Sequence, residues 1–277
     1  MSALGLIRDG SHHDCGSPQR YGADIFLVRT QTLLKHASAG SVERIESYDV
    51  CVGAGTWTYA HDHAASIEAH WLAAKAAAPF YFNGVIHLID EIRVEAGVLH
   101  AQLLRTDFKS YLYWRARGYP DAGVLDGFGS ALLRSSDGAI MLGRQRPGNI
   151  NGGLVYLPGG FIDQRDIAAG GSVDLAGSIA RELLEETGLA LSDLNRRPGY
   201  YLTCSKAQVS IAAEFVSGLK ATPLKDTIEQ HISTDAQSEL TDVIVVRGLA
   251  DLVGLDMPHY ARLLVADLLA EPHGLKP

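Results

Sequence analysis

Arg181, Glu182, Glu185 and Glu186 stand together near the end of PGGFIDQRDIAAGGSVDLAGSIARELLEETGL, residues 158–189. Positions three and four apart share one face of a helix, so these glutamates would bring their carboxylates onto one small patch. Two unit charges about 4 Å apart repel by roughly 4 kcal/mol at an effective dielectric near 20. Arg181 can offset part of this by pairing with Glu185 at i, i+4, but one guanidinium does not neutralise three carboxylates. A cation is expected there. Clustered carboxylate oxygens suit Mg²⁺ or Mn²⁺, which prefer oxygen donors and fill their remaining positions with water and substrate phosphates. The competing reading is a solvated acidic face on a surface helix. The setting weighs against it: a strand and a glycine pair precede the helix, and Gly188 ends it abruptly.

The helix that must carry these residues is VDLAGSIARELLEETGL, with Asp174 or Ser172 as N-cap and Gly188 as its stop. Before it, DGFGSALLRSSDGAIMLGRQRPG reads as a hairpin around an Asp-Gly turn, and GGLVYLPGG as a short strand closed by glycines. QVSIAAEFVSG and TDVIVVRG read as further strands, and PHYARLLVADLLAE as a closing helix. Toward the N-terminus, ADIFLVRTQTLL reads as a buried strand and AASIEAHWLAAKAAA as a helix stopped by Pro79. GVIHLIDEIRVEAGVLHAQLLRTD gives two strands about a turn at EAG; FKSYLYWRARG gives a short amphipathic helix, and YPDAG a loop. Strands and helices mix without regular βαβ alternation, so the class is α+β. A domain boundary is placed near residue 120, dividing an α+β module over 1–120, its first 20 residues a tail, from a second domain over 121–277.

RELLEETGL, residues 181–189, resembles the signature of the Nudix hydrolases. That signature runs Gly, five residues, Glu, seven residues, then Arg-Glu-aliphatic-any-Glu-Glu-any-Gly-aliphatic. The second half matches at every defined position, and Gly160, within LPGG, resembles the leading glycine. The spacing departs from the pattern: Gly160 and Arg181 are 21 positions apart against the family's 14, so a seven-residue insertion is expected within FIDQRDIAAGGS. The position eight before Arg181 is Val173, so the first glutamate is read as missing, and Asp163, Asp166 and Asp174 remain open as substitutes. Its loss is expected to be tolerated, because in the family it mainly supports the loop and the arginine.

The resemblance implies an α/β/α sandwich that hydrolyses a nucleoside diphosphate linked to another group. Carried over by position, Glu182, Glu185 and Glu186 would ligate the divalent ion, the carbonyl of Gly159 or Gly160 would assist, and Arg181 would hold Glu185 in place. The family often adds an acid before a late strand; Glu239 is the candidate, with Glu214 behind it. Arg144 and Arg146 share one face of a strand and are candidates for phosphate recognition, with ordinary surface charge as the alternative. The run from Trp71 to Arg115 loosely resembles the N-terminal module of UDP-glucose pyrophosphatase-type Nudix proteins, which makes a nucleotide sugar the expected substrate. PGGFIDQRD also shares a PGGxxDxxD step with coenzyme A pyrophosphatases. Phe80, Tyr81, Phe82 and Trp71 could stack on a base or assist a dimer, and are read as core. A catalytically weak nucleotide sensor or interaction module is the rival from another class.

The whole chain fits this reading. At 277 residues, 47% hydrophobic and 20% charged, it has ample material for a core. A net charge of -8 argues against a nucleic-acid or anionic-membrane surface, but not against a phosphorylated small molecule, since a metal can invert the field at one site. Cys15, Cys51 and Cys204 form no CxxC pair and read as reduced thiols of a cytoplasmic protein; no signal peptide or membrane span is evident. His12, His13, His61 and His63 read as surface histidines rather than metal ligands. A homodimer is expected from the family habit and the extra N-terminal surface.

Overall fold

The structure, a computed structural model, describes residues 40–270. The tail over 1–20, the strand read in ADIFLVRTQTLL, Cys15, His12 and His13 lie outside the described residues. Among the described residues the larger sheet runs in the order β1 (Ser41–Ile45), β10 (Tyr200–Ser205), β11 (Gln208–Ser217), β5 (Asp126–Arg134), β6 (Ile140–Gln145) and β12 (Leu240–Val246). Three short strands flank it: β7 (Val155–Tyr156) on β6, β8 (Gly159–Phe161) on β5 and β9 (Leu194–Arg196) on β11. Strands β5 and β11 run parallel over nine register pairs.

One face of this sheet packs on α4 (Leu175–Thr187) and α5 (Ala221–Thr234), through Leu175, Ile179, Leu183, Leu224 and Ile228. The other face packs on α6 (His259–Ala270), through Tyr260, Ala261, Leu264, Val265 and Leu268. This is the expected α/β/α sandwich within an α+β chain. Each helix is there because an apolar stripe needs a sheet face to cover it.

A smaller sheet, β2 (Ser47–Val52), β4 (Val98–Asp107) and β3 (Val85–Glu95), carries α1 (Thr58–Asp62), α2 (Ala64–Ala77) and α3 (Phe108–Ala116) nearby in sequence. The predicted turn at EAG is observed, with Ala96 and Gly97 both at positive φ. Residue 120 does not separate two cores. Strand β1 precedes it yet pairs with β10, Ile89 and Leu125 exchange two backbone hydrogen bonds of 2.8 Å, and one buried cluster combines Ile89, Leu99 and Leu103 with Leu133 and Ile179. Helix α3 exists as predicted but is less amphipathic than read: Ser110, Tyr111, Leu112 and Trp114 are all buried, more than one face.

The feature that makes room for a site is a split. Strands β5 and β6 pair only at Leu133↔Met141 and Arg134↔Ile140, then part; β8 and β7 take up their freed edges.

Candidate active site

The glycine pair sits where no side chain fits. A Cβ on Gly159 would lie 2.3 Å from the Gly129 carbonyl oxygen, and one on Gly160 would lie 2.6 Å from the Glu182 carboxyl group. That close approach brings strand β8 against the glutamate-bearing face of α4. The helix is registered at both ends. Asp174 caps it by accepting from the Gly177 N–H at 2.9 Å, and Gly188 closes it in the left-handed region at φ 73°.

The loop between them is longer than the signature allows, and the small sheet holds it. Ile86 bridges Asp163, Cys51 bridges Ser172, and the Val173 N–H donates to the Val50 carbonyl at 2.9 Å. Ile167 bridges Val173, so residues 167–173 fold back on themselves as a tight excursion turning at Gly170 and Gly171, both at positive φ. This excursion is seven residues long, the length of the expected insertion. With it set aside, Asp166 lies eight positions before Arg181, and five residues separate it from Gly160. Asp166 therefore stands where the signature has its first glutamate, and the acid is shortened rather than lost. Val173, which counts eight back along the chain, is a core residue.

The contacts agree with that assignment. Buried Asp166 accepts from Arg181 Nη1 at 2.7 Å and from the Asp163 N–H at 2.9 Å. The other two candidates are otherwise engaged: Asp163 pairs with Arg165, and Asp174 caps α4. The expected Arg181–Glu185 pair is not formed. Arg181 reaches Asp166 and, at 3.4 Å, Glu182; Glu185 instead faces Arg165 at 3.9 Å. A buried acid on a loop crossing the arginine competes better for it than a half-exposed i+4 neighbour.

Glu182, Glu185, Glu186 and Glu239 line one cavity of about 210 Å³ beside the loop before β12. Burial, then the charges of Glu185 and Glu239, push Glu182 up to about 7 despite Arg181. Burial raises Glu186 further, to about 8, with Glu239 and Glu182 adding to it and the Gln145 hydrogen bond opposing. Glu239 is raised by burial and by Glu185. Gln145 Nε2 donates to Glu186 Oε1 at 3.0 Å and the Gly159 N–H to Oε2 at 3.1 Å. Among the described residues no three acids, histidines or cysteines already form a metal cage, so the expected tight convergence of carboxylates is not seen. Glu182, Glu185 and Glu186 face different nitrogens instead, those of Arg181, Arg165 and Gln145. The donor set still fits a hard divalent cation: the cavity offers carboxylates without a thiolate or imidazole, and burial with neighbouring carboxylates raises the proton affinities of Glu182 and Glu186.

Arg144 lies in β6 and Arg146 just beyond its end. Side chains alternate along a strand, and Gln145 between them points to the glutamates. Arg144 lies near Asp242, at 3.9 Å, and Arg146 donates to the Ser238 carbonyl at 2.6 Å. Neither lines the neighbouring cavity of about 600 Å³; Arg115 and Arg165 do. Glu214 is spent on Arg134, at 2.8 Å. Phe80, Tyr81 and Phe82, read as core, instead line the larger cavity, with Phe80 65% and Phe82 81% exposed. Trp71 packs edge-on against Phe108. His61 is exposed and His63 stacks on Tyr59, neither near the acids.

At the other end of the larger cavity stands Asp126, at the start of β5. Its Oδ2 accepts from the Tyr111 hydroxyl at 2.9 Å and from Gln208 Nε2 at 3.4 Å, while Oδ1 is buried with no hydrogen-bond partner. Burial pushes this carboxyl up to about 6. An unsatisfied buried acceptor costs about 1–3 kcal/mol. Sequence reasoning passed over it because a lone aspartate before an apolar run looks like a loop residue.

The fold and site thus define an α+β chain with an α/β/α sandwich and a carboxylate-bearing helix beside a glycine turn, and its signature stretch resembles that of the Nudix hydrolases. No family model matches the chain, and no curated protein matches it. Solved structures that it resembles include a Nudix hydrolase from M. smegmatis, RenU, at 18% identity and TM-score 0.33, covering 50% of this chain and 79% of that one. Another is the Nudix domain of Shewanella oneidensis NrtR complexed with ADP ribose, at 16% identity and TM-score 0.31, covering 52% and 85%. A third is a bifunctional NMN adenylyltransferase/ADP ribose pyrophosphatase from Francisella tularensis, at 18% identity and TM-score 0.37, covering 58% and 46%.

Proposed function

We propose that this chain is a divalent-metal-dependent pyrophosphohydrolase that cleaves a nucleoside diphosphate linked to another moiety, with a nucleotide sugar as the substrate class. The observation that supports it most is the Asp166–Arg181–Glu182 chain of contacts beside Gly160, which rebuilds the signature around a seven-residue excursion. Glu182, Glu185 and Glu186, with the Gly160 carbonyl, would hold Mg²⁺ or Mn²⁺. Such an ion, when bound, neutralises a diphosphate and lowers the pKa of a coordinated water.

The remaining roles belong to the chain itself. Gln145 and the Gly159 N–H fix the Glu186 carboxylate, and Asp166 fixes Arg181 beside Glu182. Glu239 borders both cavities, and burial raises its proton affinity, which suits a general base. Arg115 and Arg165 offer guanidinium groups to the phosphate oxygens in place of Arg144 and Arg146. The products would be two monophosphates.

The test is phosphate and monophosphate release with Mg²⁺ or Mn²⁺ across UDP-sugars, ADP-ribose, coenzyme A, NADH and nucleoside triphosphates. Turnover on one class, reduced at least about 100-fold in Glu185→Gln and Glu186→Gln, is the expected result. No turnover on any of them, with a nucleotide still raising the melting temperature, would replace the enzyme with a sensor.

A further inference from the structure

The glutamates account for one end of the larger cavity, and nothing in that chemistry uses the other. Asp126 begins β5, four residues before Ser130, which pairs with Gly159 beside Glu186. At about 3.3 Å per residue the two ends lie about 13 Å apart along the strand, room for a diphosphate and one further group. The far end is polar and built. Asp126 is almost wholly buried, and its Oδ1 meets no partner. Tyr111 donates to its other oxygen, and the Tyr119 hydroxyl lies 3.3 Å from that of Tyr111. Tyr119 is held in the left-handed region at φ 58°, directly after Gly118 at φ 81°. A non-glycine residue rests there only when its surroundings impose it. Those surroundings are Trp114, edge-on to the Tyr119 ring at 4.8 Å, whose indole N–H ties down Pro120 at 2.8 Å.

We propose that this end is a subsite for a hydroxyl-bearing group, the sugar beyond the diphosphate, and that Asp126 selects it by accepting a hydrogen bond on Oδ1. The inference rests on the nucleoside-diphosphate reading above and adds the place and the residue that would select the sugar. An alkyl chain at this place would leave Asp126 Oδ1 without a partner, and a phosphate or carboxylate would meet the Asp126 carboxyl as well as the Arg115 guanidinium. A sugar presents hydroxyls that donate to the acid and accept from the amide and phenol. The nucleobase then falls at the opening, where Phe80 and Phe82 present exposed ring faces.

The experiment is calorimetric titration of UDP, UDP-glucose, ADP and ADP-ribose, with Ca²⁺ as a hard cation that fits oxygen ligands. Wild type should bind one sugar conjugate about tenfold or more tighter than its parent diphosphate, and the pair that shows the gain identifies the sugar. Asp126→Asn keeps the shape but turns the free acceptor into an N–H donor; it should abolish the gain and leave the UDP and ADP affinities within about twofold. Tyr119→Phe, a milder change should Asp126→Asn fail to fold, should remove part of the gain. Diphosphates bound without any sugar gain, or a loss in Asp126→Asn equal for all four probes, would overturn the subsite alone. Binding of none of the four would overturn the nucleoside-diphosphate reading with it.

Discussion

Replacing Asp166 by alanine should destabilise the protein far more than the same change three residues earlier. The Asp166 side chain is 1% exposed and its Arg181 partner 23%, with 2.7 Å between nitrogen and oxygen. A hydrogen bond to a charged partner contributes about 1.5–3 kcal/mol, and the Asp163 N–H loses its acceptor as well, adding about 1 kcal/mol. Breaking a fully buried pair costs about 3–5 kcal/mol. The lower end applies here, because Arg181 keeps Glu182 at 3.4 Å and some contact with water. About 3 kcal/mol results, a fall in melting temperature of about 6–12 °C for a chain of this size. Asp163 pairs with Arg165, which is 60% exposed, so Asp163→Ala should cost about 1 kcal/mol or less. Thermal and urea unfolding of both variants, with Asp166→Asn as an isosteric intermediate, measures the difference. Equal losses in the two alanine variants, or an Asp166→Ala melting temperature within about 2 °C of wild type, would refute Asp166 as the anchor of the loop.

Stability without metal should fall as pH rises from about 5 to about 8. Glu182 and Glu186 hold protons up to about 7 and 8 in the fold against 4.5 ordinarily, so across that window the folded state binds more protons than the unfolded one. Melting curves in a chelator check this; Glu186→Gln should flatten the slope, and a melting temperature that climbs through the window would contradict the assignment. Gly160→Ala should push the Glu182 carboxylate aside, given the 2.6 Å clash, lowering metal-dependent turnover at least about tenfold while costing about 1 kcal/mol in the melt. Trp114→Phe removes the indole bond to Pro120 and should cost about 1–2 kcal/mol, read by urea unfolding. The same variant should weaken sugar-conjugate binding more than diphosphate binding.

Much of the carboxylate helix was legible from the chain because helix geometry is local. Glu182, Glu185 and Glu186 had to share a face, Asp174 could cap the start, and Gly188 could take the left-handed φ that ends it. The hairpin strands β3 and β4, and β5 and β6, were equally readable, since turns and apolar runs signal themselves within a few residues. Strands β1, β2, β9 and β10 and helices α1 and α5 are absent from the sequence reading. SVERIESYDVCV alternates poorly, because β1 and β2 join different sheets with only Glu46 between them. Helix α5 did carry a signal, Leu224, Ile228 and Ile232 at i, i+4 and i+8, but it opens with a proline in the first turn that reads as loop.

What escaped at the site was always a matter of which distant segment lay alongside. Counting along the chain made Val173 the missing acid. Only the backbone bridges to the small sheet reveal that residues 167–173 leave the path and return, so that Asp166 meets Arg181. The two arginines flanking Gln145 looked like phosphate ligands until the parity of β6 was tied to Glu186. Aromatic residues read as core turned out to face a cavity. Asp126, silent in sequence, became an unpaired buried acceptor because β11 and α3 close over it. Residue types and near-neighbour spacing thus determined on their own that carboxylates cluster on a helix beside a glycine turn, within an α+β chain. Partner choice and burial were decided by tertiary structure, because electrostatic cost and hydrogen-bond satisfaction depend on atoms brought together from segments far apart in sequence.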